Sequence, residues 1–234
     1  MEQPDNKNTD AEPMLTAMQA RILGALMEKQ LTTPDAYPLT LNSLLLACNQ
    51  KTSREPVSNH EQGEVQRCLG DMQERKWVEV DYGARAARYD QRLTRVLGLD
   101  KAAQALLNVM LLRGPQTLAE LLTRTQRMFD FGSQQALAEK LEQLCAKTSP
   151  VIVLIPRLAG QREDRYMHLL CGKPDLEAIA AMASAASSRN STTEDERIPV
   201  LEQRLETLEA QVKHLQDQLA KLLELNGIKA SELE

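Results

Sequence analysis

The chain has 234 residues, 42 % hydrophobic and 26 % charged, with 28 Lys+Arg against 33 Asp+Glu for a net charge of −5. That length suits one large or two small globular domains with accessory segments, and the composition is that of a chain able to bury a core. The longest apolar runs, such as Leu44–Cys48 and Val151–Ile155, fall far short of the ~20 residues that span a bilayer. The first residues lack the basic and apolar regions of a signal peptide, and Cys48, Cys68, Cys145 and Cys171 form no Cys-x-x-Cys pair. A cytoplasmic protein with reduced thiols, no metal, no cofactor and no membrane partner is expected.

The charge is unevenly spread. Residues 1–13 carry −3 and residues 175–234 carry −6, which leaves a body of +4 between two acidic ends. An acidic whole with a basic body is compatible with a polyanionic partner.

In chain order, residues 1–13 read as a disordered acidic tail. Leu15, Met18, Ile22, Ala25 and Leu26 recur at helical spacing up to Lys29. Thr32–Pro38, with two prolines, breaks that helix. Leu39, Leu41, Leu44, Leu45 and Ala47 predict a second, short helix, followed by the polar loop Lys51–Pro56. Ser58-x-x-Glu61 reads as the capping box of a third helix with Val65, Cys68, Leu69 and Met72 on one face. Trp77–Tyr82 alternates as a strand, and Tyr89 lies on its partner beyond a turn. Three helices and a hairpin is the order of a winged helix.

The order then repeats, as an internal duplication would. Asp100–Arg113 predicts a helix with Ala103, Leu106, Leu107, Met110 and Leu111 inward, and Thr117–Leu122 echoes Thr40–Leu45. Ser133–Lys147 is a third helix, and Val151–Leu158 and Tyr166–Leu170 are strands. The expected architecture is mainly α with small β-hairpins (α+β): winged-helix domains at 14–95 and 96–173, a short helix and flexible linker at 174–197, and a coiled coil at 198–226. In that last segment Ile198, Leu205, Val212 and Leu219 fall at heptad position a, and Leu201, Leu208, Leu215 and Leu222 at d. Leucine at every d position, with β-branched residues at two a positions, leans toward a parallel dimer.

Enzymatic chemistry finds little support. His60, His168 and His214 lack metal-ligand neighbours, and no Gly-rich phosphate loop or nucleophile elbow is present. Double-stranded DNA is the natural partner of paired winged helices. The candidate contacts are Arg85 and Arg88 at the first hairpin, and Arg157, Arg162 and Arg165 at the second. Lys51 and Arg54 in one loop, Arg124 and Arg127 in its equivalent, and Arg67 on the third helix complete the set. Against it, the first domain's third helix carries Glu61, Glu64, Asp71 and Glu74, which would repel phosphate. A protein-interaction adaptor is therefore the competing expectation. A polar network of Thr32, Thr33, Asp35, Tyr37, Asn42, Asn49 and Thr52 either holds the irregular crossing between the first two helices or presents a surface to a partner.

The run Glu28-Lys29-Gln30-Leu31-Thr32-Thr33-Pro34-Asp35-Ala36-Tyr37-Pro38-Leu39-Thr40-Leu41-Asn42-Ser43-Leu44, continued through Ala47–Val57 and Glu64-Val65-Gln66, resembles the signature of the bacterial YceH family. The resemblance covers roughly residues 14–175. It implies a tandem winged-helix fold and little about activity, because that family is uncharacterised.

Overall fold

The computed structural model describes residues 14–83, 85–157, 162–177, 179, 212 and 213. The chain divides into a compact unit, Met1–Ile179, and a second unit, Ala180–Glu234. Of the second unit, only Val212 and Lys213 are described; both are helical and exposed. The remaining heptad positions, Ile198, Leu201, Leu205, Leu208, Leu215, Leu219 and Leu222, lie outside the described residues, as do the acidic tail and the linker from 180 onward.

The first unit is mixed α/β, a helical body with small antiparallel sheets. Its elements are α1 (Ala17–Thr32), a 3-10 turn (Pro34–Ala36), β1 (Leu39–Thr40), α2 (Leu41–Cys48), α3 (Gln62–Glu74), β2 (Val78–Asp81), β3 (Arg88–Gln91) and α4 (Leu93–Val96). Then follow α5 (Lys101–Arg113), α6 (Leu118–Thr125), α7 (Gln134–Cys145), β4 (Ile152–Ile155) and β5 (Arg165–His168). The first sheet runs β1-β3-β2 and the second β4-β5.

Local chemistry explains most boundaries. Thr16 and Gln19 close a reciprocal box at the start of α1, with Thr16 Oγ1 accepting from Gln19 N at 3.2 Å and Gln19 Oε1 from Thr16 N at 2.9 Å. Thr40, Asp100, Thr117 and Ser133 cap α2, α5, α6 and α7 through their side-chain oxygens, and of these four only Thr117, with Glu120, closes the same reciprocal box. Two expectations are corrected. Leu39 is a strand residue paired with Tyr89 rather than the start of a helix, because Thr40 after it is the cap of α2, its side chain accepting from Ser43 N, so the helix begins only at Leu41. The cap of α3 is Glu61, not Ser58: Glu64 reaches back to accept from Glu61 N at 3.0 Å. The short helix α4 follows β3 directly, with Gln91 Oε1 accepting from both Thr94 N and Thr94 Oγ1 at 3.1 Å.

The two halves share their interior. One apolar cluster gathers α1, α2, α3, Trp77 and Leu93, together with Leu107 and Leu111 of α5; another gathers Leu106 and Met110 of α5 with α6, α7 and Ile152. Since α5 serves both clusters, every residue from Ala103 to Leu112 is buried, and α1 is buried without a break from Gln19 to Met27. Main-chain bonds tie the halves further: Leu15 N to Leu170 O at 2.8 Å and Glu55 N to Leu112 O at 2.9 Å.

Candidate nucleic-acid interface

Each hairpin is anchored to the start of a helix at equivalent positions. Leu39 pairs with Tyr89, and Gln116 bridges to Tyr166; Leu39 and Gln116 are each followed by a capping threonine, Thr40 or Thr117. Arg88 Nη1 donates to Pro38 O at 2.8 Å, and Arg165 Nη1 donates to Pro115 O at 3.1 Å. The numbers 38 and 115 differ by 77, and so do 39 and 116, 88 and 165, and 89 and 166. One register therefore relates the two halves at their hairpins.

That register sorts the arginines. Arg88 and Arg165 are half-buried at the hairpin bases, and Arg165 also meets Glu120 at 3.1 Å. Three residues earlier in each half stand Arg85 and Arg162, again 77 apart. Both are exposed, and among the described residues neither has a carboxylate within ion-pair distance. Arg157 is exposed at the end of β4 and lines a groove of about 330 Å³ with Arg162, beside Leu118 and Gln134 at the starts of α6 and α7. Helix N-termini and guanidiniums both favour an anion. Glu163 and Asp164 line the same groove, Asp164 Oδ1 accepting from Arg157 N at 2.8 Å.

The other candidates divide. Lys51, Arg67 and Arg127 are exposed. Arg124 is half-buried, hydrogen-bonded to Gln116 Oε1 and 3.4 Å from Glu120. Arg54 is corrected: it is 2 % exposed and cannot meet a phosphate. Its five N–H groups make five bonds, to Ala47 O (3.0 Å), Ser53 O (2.9 Å), Gln50 Oε1 (2.9 Å) and both oxygens of Glu28 (3.3 and 2.6 Å). Arg21 lies near it, donating to Pro56 O at 2.6 Å; burial first, and then Arg54, press its ionisation down. Burial pushes the neighbouring Cys48 thiol up to about 12, against the pull of both guanidiniums, so it stays an unreactive thiol at neutral pH.

The polar segment around Thr32–Pro38 is held by a partly different network from the one expected. Tyr37 Oη donates to Asp90 Oδ1 at 2.6 Å and accepts from Gln91 N at 2.7 Å. Desolvation, followed by that bond to Asp90, raises the phenol far above its ordinary range. Asn49 clamps the main chain of His60 through both ends of its amide, at 2.8 and 2.9 Å. Thr32 and Thr33 merely bond back one turn to Glu28 O and Lys29 O, and Asp35, Asn42 and Thr52 are exposed. Sequence reading missed Glu28, Gln30, Gln91, Gln104 and Asn108; the available signal was a set of polar residues among apolar neighbours on α1 and α5 and at the end of β3.

On α3, Glu61, Glu64, Asp71 and Glu74 are all exposed beside Arg67. No helix among the described residues is long and apolar enough to cross a membrane, and no cluster of metal-ligating side chains occurs among them.

Residues 15–161 match a family model described as a protein of unknown function, DUF480. A UPF0502 protein of Cellvibrio japonicus is 72 % identical over 91 % of this chain and 96 % of its own length. UPF0502 proteins of Pseudomonas fluorescens and Stenotrophomonas maltophilia are 46 % and 44 % identical, over 91 % and 93 % of this chain and 95 % and 98 % of their own lengths. With a family model spanning most of the folded unit and relatives matched almost end to end, the chain belongs to the DUF480 family of UPF0502 proteins, the same bacterial family whose signature runs through Glu28–Val57.

Proposed function

We propose that this chain is a non-enzymatic, dimeric DNA-binding protein of tandem winged-helix build, gripping double-stranded DNA through its two hairpin tips and pairing through the heptads at 198–226. One observation carries the reading: each hairpin devotes one arginine, Arg88 or Arg165, to its own anchorage, and leaves another, Arg85 or Arg162, exposed at its tip. An exposed guanidinium on a hairpin with a braced base suits phosphate or a narrow minor groove. The exposed acids of α3 set the mode. With Glu61 and Glu64 in its first turn, α3 is a poor reader of base edges among phosphates, so the contact is mainly to the DNA backbone.

The test is retention of a random duplex library by the full chain at two salt concentrations. Affinity should fall steeply with salt as condensed counterions are released, and the double variant R85A/R162A should lower the log–log slope by about 2. No retention at ~50 mM salt overturns the reading.

A second reading rests on the same acids: α3 with Glu61, Glu64, Asp71 and Glu74 as a docking surface for a basic protein, without DNA. Retention of duplex by the native chain decides against it.

A further inference from the structure

A cavity of about 630 Å³ opens where the two halves meet, between the end of α1, the β3–α4 corner and the start of α5. Pockets of 300–1,000 Å³ that are mostly apolar, with a few convergent polar groups, are the usual sites of small ligands. This lining is more polar than that: Leu31, Pro34, Leu99 and Met128 supply the apolar wall, and the other seven residues are polar or charged.

Three glutamines form the polar part, and a fixed donor sets their orientation. Thr94 N is a main-chain donor and meets Gln91 Oε1, so Gln91 must turn its Nε2 outward, where it donates to Gln30 Oε1 at 2.7 Å. Gln104 Nε2 donates to the same oxygen at 2.8 Å and fills its second lone pair. Both Gln91 and Gln104 are at least nine-tenths buried. Among the described residues two amide atoms have no protein partner, Gln104 Oε1 and Gln30 Nε2; neither is fully buried, so both are open to the cavity.

The rim is cationic. Arg92, Arg95 and Lys101 line the cavity and no carboxylate does. Arg92 is already held by Glu79 and by Asp90 (3.2 Å). Arg95 and Lys101 are exposed and have no carboxylate within ion-pair distance among the described residues.

We propose that this cavity binds a nucleoside monophosphate. The phosphate would meet Arg95 and Lys101, the ring would lie against Leu31, Leu99 and Met128, and the donor–acceptor edge of the base would complete Gln104 Oε1 and Gln30 Nε2. Because Gln30 belongs to one half and Gln104 to the other, such a ligand braces the joint between the halves. The inference does not depend on DNA binding, and its test uses no DNA.

The test is titration calorimetry of the full chain with AMP, GMP, CMP and UMP, with inorganic phosphate as a separate arm. At least one nucleotide should bind saturably below about 1 mM. The variant R95A/K101A, which changes only exposed side chains, should weaken it at least about tenfold while leaving the melting temperature in place. Gln104→Met should weaken it without changing its dependence on salt. Absence of saturable binding by all four nucleotides overturns the proposal. So does an affinity unmoved by R95A/K101A, or inorganic phosphate binding as tightly as the best nucleotide.

Discussion

Asn108 donates its side-chain amide to the main-chain oxygen of Gly24 at 2.6 Å, joining α5 directly to the backbone of α1. The approach is possible because Gly24 has no side chain: a Cβ there would stand 2.8 Å from Leu112 Cδ2 and 2.9 Å from its Cγ. Gly24→Ala gains about 1 kcal/mol of helix propensity, yet forcing a methyl into this contact costs about 1–3 kcal/mol. The variant should be less stable than the native chain in urea, and Gly24→Leu much less so. A Gly24→Ala protein of equal or higher midpoint would show that α1 and α5 can part at no cost.

Glu28 and Arg54 are a buried pair whose members differ in exposure, Arg54 having 0 % of its side chain accessible and Glu28 16 %. Glu28→Gln strands the guanidinium, and removing one partner of a buried pair costs about 3–5 kcal/mol. The accessible edge of Glu28 places the expected loss near the lower end, about 3 kcal/mol. Replacing both, as E28Q/R54M, should recover part of that loss. A double variant no more stable than Glu28→Gln alone would contradict it.

His168 is 4 % exposed on β5, and burial depresses its pKa to about 4 from an ordinary 6.5. Folding therefore favours the neutral ring. Its contribution is fully present above pH ~6.5 and is lost as pH falls from there toward 4. The total is roughly 3 kcal/mol, at most ~1.4 kcal/mol per pH unit. Urea midpoints taken from pH 7 to pH 4 should fall more steeply for the native chain than for His168→Phe; parallel curves would remove His168 from the account.

Gly70 sits in the interior of α3, and a Cβ built on it meets nothing within 4 Å. Gly70→Ala should stabilise the fold by about 1 kcal/mol. Gly63, in the first turn of α3 with equally open space, should give a smaller gain. Thermal melts of the two single variants and the double would show the increments adding. A loss of stability at Gly70 would mean that α3 tolerates no added side chain on that face.

The helices and hairpins were largely legible because they are written locally. Thr117, Ser133 and Asp100 announce helix starts by their side-chain oxygens, and Val65, Cys68, Leu69 and Met72 lie at one face of α3 as their spacing predicts. Capping and amphipathic periodicity act within a few residues, so a linear reading finds them. Ser58 misled because Ser-x-x-Glu satisfies the same pattern three residues early.

The candidate interface was only half legible. That arginines cluster at the hairpins is visible in the sequence. That Arg88 and Arg165 are spent on Pro38 and Pro115, while Arg85 and Arg162 stay exposed, depends on where the chain returns after 50 residues in each half. Arg54 reads as a loop cation, and only the position of Glu28 on another helix makes it an interior one.

The sequence by itself carried the family signature, most of the helices and both hairpins, the repeated order of elements and the basic stretch between two acidic ends. The tertiary structure alone decided that α5 lies between two apolar clusters, so that Gln104 and Asn108 point inward and not to water. It also decided which cations keep their charge available. The physical reason is the same in both cases: a polar side chain is placed by the partner that completes its hydrogen bonds. Here those partners stand 26 to 84 residues away along the chain.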